Sequence, residues 1–261
     1  MPAQALAILP PPGTSGFQLR EVAPPNVWVL PDLHCVIDTG LPVAQTLQDI
    51  LTATQTWPKL EILITHNHPD HIGNLVPVLE ARPDACLWAP ASVALLGSVV
   101  RHRMVTTTDG ATVGTGGFVA LATPGHTEDH MAYWLPGDLL AAGDLILGEG
   151  TPWVGPPQGD LGDYLQSLNR VAQMPDALRL LGGHGPERGS APAMARATYA
   201  HRMMREQMVL ELWGTGLREP RAIAREIYEL REQLHLDPMR FEMAVWTVTG
   251  HIEYARRRGL I

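Results

Sequence analysis

Long apolar runs and cysteines are both scarce in this chain of 261 residues. No uninterrupted apolar stretch approaches the roughly 20 residues that a membrane-spanning helix requires, so the sequence predicts a soluble protein without a membrane partner. The two cysteines, Cys35 and Cys86, are too few for a disulfide framework. The N-terminal segment lacks a cationic leader and is broken by Pro10, Pro11 and Pro12, so we expect no secretory signal and a cytoplasmic location.

Positive charge is also in short supply. The chain has 19 lysines and arginines against 27 aspartates and glutamates, which gives a formal net charge of −8. A surface that grips nucleic-acid phosphates without regard to sequence needs a basic stripe. The charge balance therefore argues against DNA as a partner.

Short apolar runs bounded by turn residues fill the first two-thirds of the chain and predict strands. These runs cover residues 35–37, 62–64, 86–88, 118–121, 131–134, 139–142 and 178–181. Helical spacing occurs between them, at residues 43–54, 72–81, 91–99 and 160–173. This mixed order predicts an α/β fold with two sheets and helices outside, rather than one doubly wound parallel sheet.

The character of the sequence changes near residue 191, where long helical stretches replace the strand signals. Helices are predicted over residues 191–213, 218–234 and 239–258. We expect a main domain over residues 1–212 and a small helical module over residues 218–261, joined by a linker at the Gly214-Thr215-Gly216 turn.

The run His66-Asn67-His68-Pro69-Asp70-His71 follows a predicted strand and enters a predicted helix. His66 and His68 are two apart, so an extended backbone projects them to the same side, where they can bind one metal ion together. Pro69 bends the chain and lets Asp70 and His71 face a second position nearby. The alternative is a group of surface-loop histidines, but four potential ligand residues within six positions favour a metal site.

Three more candidate ligands each follow an apolar strand, and each lies in a turn that contains glycine. They are His126, Asp144 and His184. Taken singly, each is typical of a solvated turn. Their joint occurrence, with a glycine next to each ligand to allow a sharp backbone turn, favours a shared site.

This order of ligands resembles the metallo-β-lactamase superfamily, whose fold is an αββα sandwich. The resemblance implies that three histidines bind a first metal ion, that an aspartate and two histidines bind a second, and that Asp144 bridges the two. It assigns His66, His68 and His126 to the first ion and Asp70, His71 and His184 to the second. Asp38, in Val36-Ile37-Asp38-Thr39-Gly40, matches a position that supports the metal ligands without binding a metal ion itself.

A narrower resemblance covers most of the chain from about residue 30. The segments at residues 123–131, 143–150, 182–186, 199–207 and 251–254 resemble the lactamase-β-like protein 2 branch. Members of that branch carry a small C-terminal winged-helix-like module and include an endoribonuclease that acts on single-stranded RNA, whereas the similar glyoxalase II group cleaves thioesters. The di-iron, oxygen-reducing members of the superfamily have glutamate at the position of His68, so the histidine favours hydrolysis. Common β-lactamases have cysteine at the position of Asp144, so the aspartate argues against antibiotic hydrolysis as the main activity.

The expected activity is that of a hydrolase with two divalent metal ions, chiefly Zn²⁺, with Mn²⁺ or Fe²⁺ as alternatives. A hydroxide between the ions would attack an ester, a thioester or an RNA phosphodiester, and Asp70 would orient it and relay its proton. One alternative is a mononuclear iron dioxygenase of the persulfide dioxygenase type, which shares the His-x-His-x-Asp-His pattern. The other is a non-catalytic, metal-stabilised RNA-binding module.

Several further residues are candidates for secondary roles. The candidates for RNA contact are Arg101, Arg103, Arg202, Arg205 and the run Arg256-Arg257-Arg258, although an arginine run is more often a solvated face. Trp153 and Tyr164 are candidates for walling the site or for ordinary packing. Four histidines are expected to be supporting or structural: His130, His201, His235 and His251.

Overall fold

The computed structural model describes residues 4–11 and 23–261. Two six-stranded sheets face each other, with helices on their outer surfaces. None of the helices in the described ranges is both long enough and apolar enough to cross a bilayer.

The first sheet contains strands β1 to β6 in chain order. The strands are β1 (Leu6–Ile8), β2 (Val27–Leu30), β3 (Cys35–Ile37), β4 (Glu61–Leu63), β5 (Cys86–Ala89) and β6 (Met104–Thr106). From β3 onward the pairing is parallel. Parallel neighbours need crossover connections, and here these are helical: α1 (Ala44–Thr54), α2 (Pro69–Ile72), α3 (Leu75–Ala81) and α4 (Ser98–Arg101).

The second sheet runs in the order β12-β11-β10-β9-β8-β7. Its strands are β7 (Thr112–Val113), β8 (Phe118–Ala122), β9 (Met131–Leu135), β10 (Leu139–Gly143), β11 (Arg179–Gly182) and β12 (Arg188–Ser190). Only β10 and β11 pair in parallel, and helix α5 (Leu161–Ala172) connects them. Because these two strands point the same way, the residues that follow them lie at the same sheet edge.

Apolar side chains between the two sheets form the central core. Ile37 and Leu63 of the first sheet pack in one cluster with Phe118 and Tyr133 of the second, and all four are almost fully buried. Separate clusters lie between each sheet and its own helices. The layers are therefore helix, sheet, sheet, helix, which confirms the predicted α/β sandwich.

Two predicted helices are interrupted in the structure. The one predicted over residues 72–81 is split into α2 and α3, because the Asn74 amide donates hydrogen bonds to the carbonyls of Thr39 and Leu41 at the break. The one predicted over residues 91–99 is a 3₁₀-helix (Ala91–Leu96) followed by α4. Gly97 separates them with φ +124°, a backbone conformation that glycine adopts at little cost.

Residues 191–261 are helical, and no strand is present among them. They form α6 (Ala191–Gly214), α7 (Pro220–Ala224), a π-helical segment (Arg225–Arg231) and α8 (Pro238–Arg257). The start of α6 packs into the core behind the second sheet, and its end packs against α7 and α8. The predicted boundary at residues 212–218 and the winged-helix-like description both stay predictions.

Candidate metal centre

Three histidine rings converge at the edge between the two sheets. His66 and His68 lie on the extended segment after β4, and His126 lies in the turn after β8. The Nδ1 atom of His68 is 2.9 Å from Nε2 of His66 and 3.0 Å from Nε2 of His126. These three nitrogens form the first donor group.

A second donor group adjoins the first. Asp70 and His71 lie in α2, and His184 follows β11; Nε2 of His184 is 3.5 Å from Oδ2 of Asp70, and Nε2 of His71 is 3.9 Å from it. Asp144 follows β10 and lies between the groups. Its carboxylate oxygens are 3.4 Å from His71, 3.6 Å from His126 and 3.5 Å from His184. The structure thus brings all seven predicted ligands together.

The imidazoles are oriented by acceptors on their far sides. Nδ1 of His126 donates to the Trp153 carbonyl at 2.7 Å, and Nδ1 of His184 donates to the Ala23 carbonyl at 2.7 Å. Because a carbonyl only accepts, each Nδ1 carries a proton and Nε2 faces the cluster, where the neutral ring presents its lone pair. Metal-binding histidines are usually held in this way.

Asp38 supports the site through three hydrogen bonds. Its carboxylate accepts from the Thr65 amide at 2.8 Å, from the Thr65 hydroxyl at 2.9 Å and from Nδ1 of His71 at 2.8 Å. The Thr65 hydroxyl is also 3.0 Å from Nδ1 of His66. Asp38 adopts a left-handed φ of +58°, a conformation of higher energy that tends to persist at functional sites.

Electrostatics differ between the two groups. Burial lowers the pKa of His126 to about 4, and burial together with the neighbouring histidines lowers that of His66, so both rings are neutral at pH 7. In the second group, burial opposes ionisation, but Asp144 and the other nearby carboxylates outweigh it and raise the pKa of His71 to about 9. The pKa of His184 is raised in the same way. At pH 7, His71 and His184 therefore carry protons that a bound cation would displace.

Two buried polar atoms in this cluster have no hydrogen-bond partner, namely Nε2 of His71 and Oδ1 of Asp144. Orphaned buried atoms are costly unless something binds them. Ligands about 2.1 Å from a tetrahedral ion lie about 3.4 Å from one another, and the separations between Asp144 and its three histidine neighbours are 3.4 to 3.6 Å. The donor chemistry and the spacing both fit divalent metal ions.

The other predicted residues divide into neighbours of the site and packing residues. The Trp153 ring lies beside the His68 ring, with centroids 6.3 Å apart and planes 15° apart. Tyr164 is fully buried and donates to the Leu145 carbonyl at 2.7 Å, so it is a packing residue. His130 accepts a hydrogen bond from the Asp144 amide at 3.1 Å, which agrees with its expected supporting role.

Three of the seven candidate RNA-contacting arginines are engaged within the fold, and the interpretation of these three was wrong. Arg103 donates to backbone carbonyls at residues 79–85. Arg202 is buried and donates to the Pro152 carbonyl, and Arg205 is buried in an ion pair with Glu232 at 2.8 Å. Arg101 and the run at residues 256–258 lie at the surface, where Arg257 pairs with an aspartate.

Sequence reasoning missed the groups that orient the ligands. The Oε1 atom of Gln158 is 2.7 Å from Nε2 of His68, and the carbonyls of Trp153 and Ala23 hold two other rings. Backbone carbonyls have no residue-specific signal. Gln158 is 90 residues from His68, so no local pattern links them.

Comparison with known proteins gives consistent results. The family model described as "Metallo-beta-lactamase superfamily" matches residues 20–184. The beta-lactamase-like protein 2 homolog of Caenorhabditis elegans is 31% identical over 184 residues, which cover 68% of this chain and 60% of that protein. The hydroxyacylglutathione hydrolase of Yersinia enterocolitica is 32% identical over 166 residues, covering 60% of this chain and 61% of the relative. The chain thus spans about 60% of the length of these two relatives.

Solved structures resemble the whole chain. A beta-lactamase domain protein from Burkholderia ambifaria has a TM-score of 0.78 at 20% identity, covering 98% of this chain and 86% of its own. A metallo-beta-lactamase family protein from Thermus thermophilus has a TM-score of 0.73 at 21% identity, covering 98% of this chain and 94% of its own. At such identities the likeness establishes the fold.

Proposed function

The chain belongs to the metallo-beta-lactamase superfamily, and from this membership we propose that it is a hydrolase that uses two divalent metal ions. One observation carries the proposal: seven histidine and aspartate side chains form two adjoining donor groups, with Asp144 between them. Imidazole nitrogen with carboxylate oxygen suits Zn²⁺, which we propose as the metal, and also Mn²⁺ or Fe²⁺. When bound, such ions supply polarisation of a scissile carbonyl and activation of water.

Asp70 is the catalytic residue in this proposal. Its side chain is 33% exposed, whereas those of Asp144 and His184 are 9% exposed, so the Asp70 carboxylate is the one that incoming water and substrate reach. Burial opposes its ionisation, but the neighbouring histidines lower its pKa to about 2. Because it stays ionised at neutral pH, it orients the attacking water by accepting a hydrogen bond and relays the proton.

We propose a thioester of a small-molecule carrier as the substrate, with simple esters as chemically similar candidates. The Yersinia relative is named as a hydrolase of hydroxyacylglutathione, in which the acyl group is joined to sulfur. The Trp153 indole beside His68 supplies an apolar wall for an acyl group. An RNA backbone would instead need arginines at the site, and Arg103, Arg202 and Arg205 are engaged within the fold.

The two alternatives from the sequence are less well supported. A mononuclear iron dioxygenase needs one metal group, and the complete set of Asp70, His71 and His184 favours a second ion. A non-catalytic RNA-binding module would require an incomplete site. We propose that residues 1–212 carry the chemistry, that residues 218–261 form a winged-helix-like module, and that the protein acts in the cytoplasm.

Metal content by mass spectrometry, measured on protein purified without added metal, tests the proposal when it is combined with three assays. These assays are hydrolysis of a thioester and ester panel, cleavage of a single-stranded RNA, and oxygen uptake with a persulfide. About two ions per chain with thioester turnover is the expected result. A single iron with oxygen uptake and no hydrolysis would overturn it in favour of the dioxygenase.

A further inference from the structure

The segment at residues 152–159, which we call the bracing loop, contacts the first donor group from outside the metal cluster. The Trp153 carbonyl accepts from Nδ1 of His126 at 2.7 Å, and Oε1 of Gln158 lies 2.7 Å from Nε2 of His68. Both acceptors are carbonyl-type oxygens. One short segment therefore orients two of the three rings in this group.

These hydrogen bonds decide which nitrogen of each ring is free. A proton on Nε2 of His68, donated to Gln158, leaves the lone pair on Nδ1, and a proton on Nδ1 of His126 leaves the lone pair on Nε2. The two free nitrogens are the ones that lie 3.0 Å apart in the cluster. Loss of the Gln158 oxygen would remove the acceptor that selects this tautomer of His68.

The C-terminal helices hold the bracing loop from its other side. The Trp246 ring of α8 packs on the Trp153 ring, with centroids 5.1 Å apart. A Cβ atom at Gly155 would overlap the carbonyl oxygen of Trp246, and one at Gly250 would lie 3.1 Å from the carbonyl oxygen of Val154. The backbones of loop and helix are thus in direct contact.

Helix α6 adds a polar anchor. Arg202 is 3% exposed and donates to the Pro152 carbonyl at the start of the bracing loop. One turn further along α6, Glu206 is 2.6 Å from His251 of α8, and both side chains are buried. Arg202 thus ties the bracing loop to α6, and the Glu206–His251 contact ties α6 to α8.

We propose that Gln158 and the Trp153 carbonyl are positioning groups for the first metal ion, and that α6 and α8 act on this ion's affinity through the bracing loop. The inference rests on the proposed function in that the first donor group binds a metal ion. The inference goes further because it says that the C-terminal helices influence the affinity of the first ion and not that of the second. Ligands of the second group are held elsewhere, by Asp38 and the Ala23 carbonyl.

Cobalt titration followed by visible absorbance tests this, in two backgrounds that isolate the groups. His184→Ala leaves the first group complete, and His68→Ala leaves the second. Gln158→Met keeps the side-chain length without the acceptor oxygen, and Gln158→Glu restores an acceptor. We expect Gln158→Met to weaken cobalt binding about 10-fold in the first background, as loss of such supporting groups does, and not in the second. Gln158→Glu should bind at least as tightly as the parent.

Gly155→Ala probes the link to the helices, because its Cβ overlaps the Trp246 carbonyl. Gly214→Ala, whose Cβ would meet nothing within 4 Å, is the control. We expect Gly155→Ala, and not Gly214→Ala, to weaken cobalt binding by the first donor group. Equal cobalt affinity of Gln158→Met and its parent in the His184→Ala background overturns the inference and leaves the proposed function intact. Native protein that binds no cobalt overturns both.

Discussion

Gly183→Ala should disable the metal centre through a single steric contact. Gly183 follows β11 and lies against the shared carboxylate, and a Cβ there would overlap Oδ1 of Asp144. It would also lie 2.9 Å from the carbonyl carbon of Gly143 and 3.0 Å from Cε1 of His71. Optimal packing distances between heavy atoms are about 3.5 Å, so the carboxylate must move by about 1 Å or more.

A displacement of about 1 Å at a reacting centre costs about 100-fold in rate, which corresponds to about 2.7 kcal/mol of transition-state stabilisation. We therefore expect Gly183→Ala to lower kcat/KM for a thioester about 100-fold and to reduce bound metal below two ions per chain. The assays are steady-state hydrolysis, metal analysis and circular dichroism. Gly189→Ala is the matched control, because its Cβ would meet nothing within 4 Å. Native-like metal content and activity in Gly183→Ala would refute the steric argument.

Three further predictions concern the donor groups. His68→Ala should abolish hydrolysis and remove one metal ion while the fold is kept, as measured by metal analysis and circular dichroism. Asp38→Asn keeps a side chain that tolerates the left-handed backbone but loses the charge facing His71, so metal affinity of the second group should fall about 10- to 100-fold in a competition titration. Metal loading at pH 7 should release about two protons, from His71 and His184, because both pKa values lie above their usual range. Release should decline above about pH 9, where His71 is already neutral; calorimetry in buffers of different protonation enthalpy measures it.

Each of these has a clear contrary result. Full activity of His68→Ala would overturn the ligand assignment. Unchanged metal affinity in Asp38→Asn would show that the carboxylate does not govern His71. Metal binding at pH 7 without proton release would show that His71 and His184 are neutral before metal binds.

Seven of the twelve strands in the described residues could be predicted, because apolar runs bounded by turns are a local signal; β1, β2, β6, β7 and β12 were missed. The predicted strand at residues 139–142 corresponds to β10 (Leu139–Gly143), and the one at residues 35–37 corresponds to β3. Helix continuity was harder to predict. The break between α2 and α3 depends on hydrogen bonds from Asn74 to residues more than 30 positions earlier, and no local pattern encodes such contacts.

The convergence of the candidate ligands could be predicted for a related reason. Each candidate follows a strand, and strand ends that share a sheet edge meet in space, as β10 and β11 do. The resemblance to the metallo-β-lactamase superfamily, now confirmed by the family model, supplied the grouping. The roles of Arg202 and Arg205 were mistaken because burial of a charged side chain depends on tertiary packing. Both lie on the inner side of α6, among partners distant in sequence.

The division of ligands between the two sheets has a consequence for how the protein folds. His66 and His68 follow a strand of the first sheet, whereas His126 follows a strand of the second, and the second donor group is divided in the same way. Neither half alone offers a complete group, so a metal ion can be held by a complete group only after the halves dock. A metal concentration of about 1,000 times Kd would favour the docked state by about 4.1 kcal/mol. A chelator added during refolding should therefore leave the early, strand-forming phase unchanged and act only on the yield of the final assembled state.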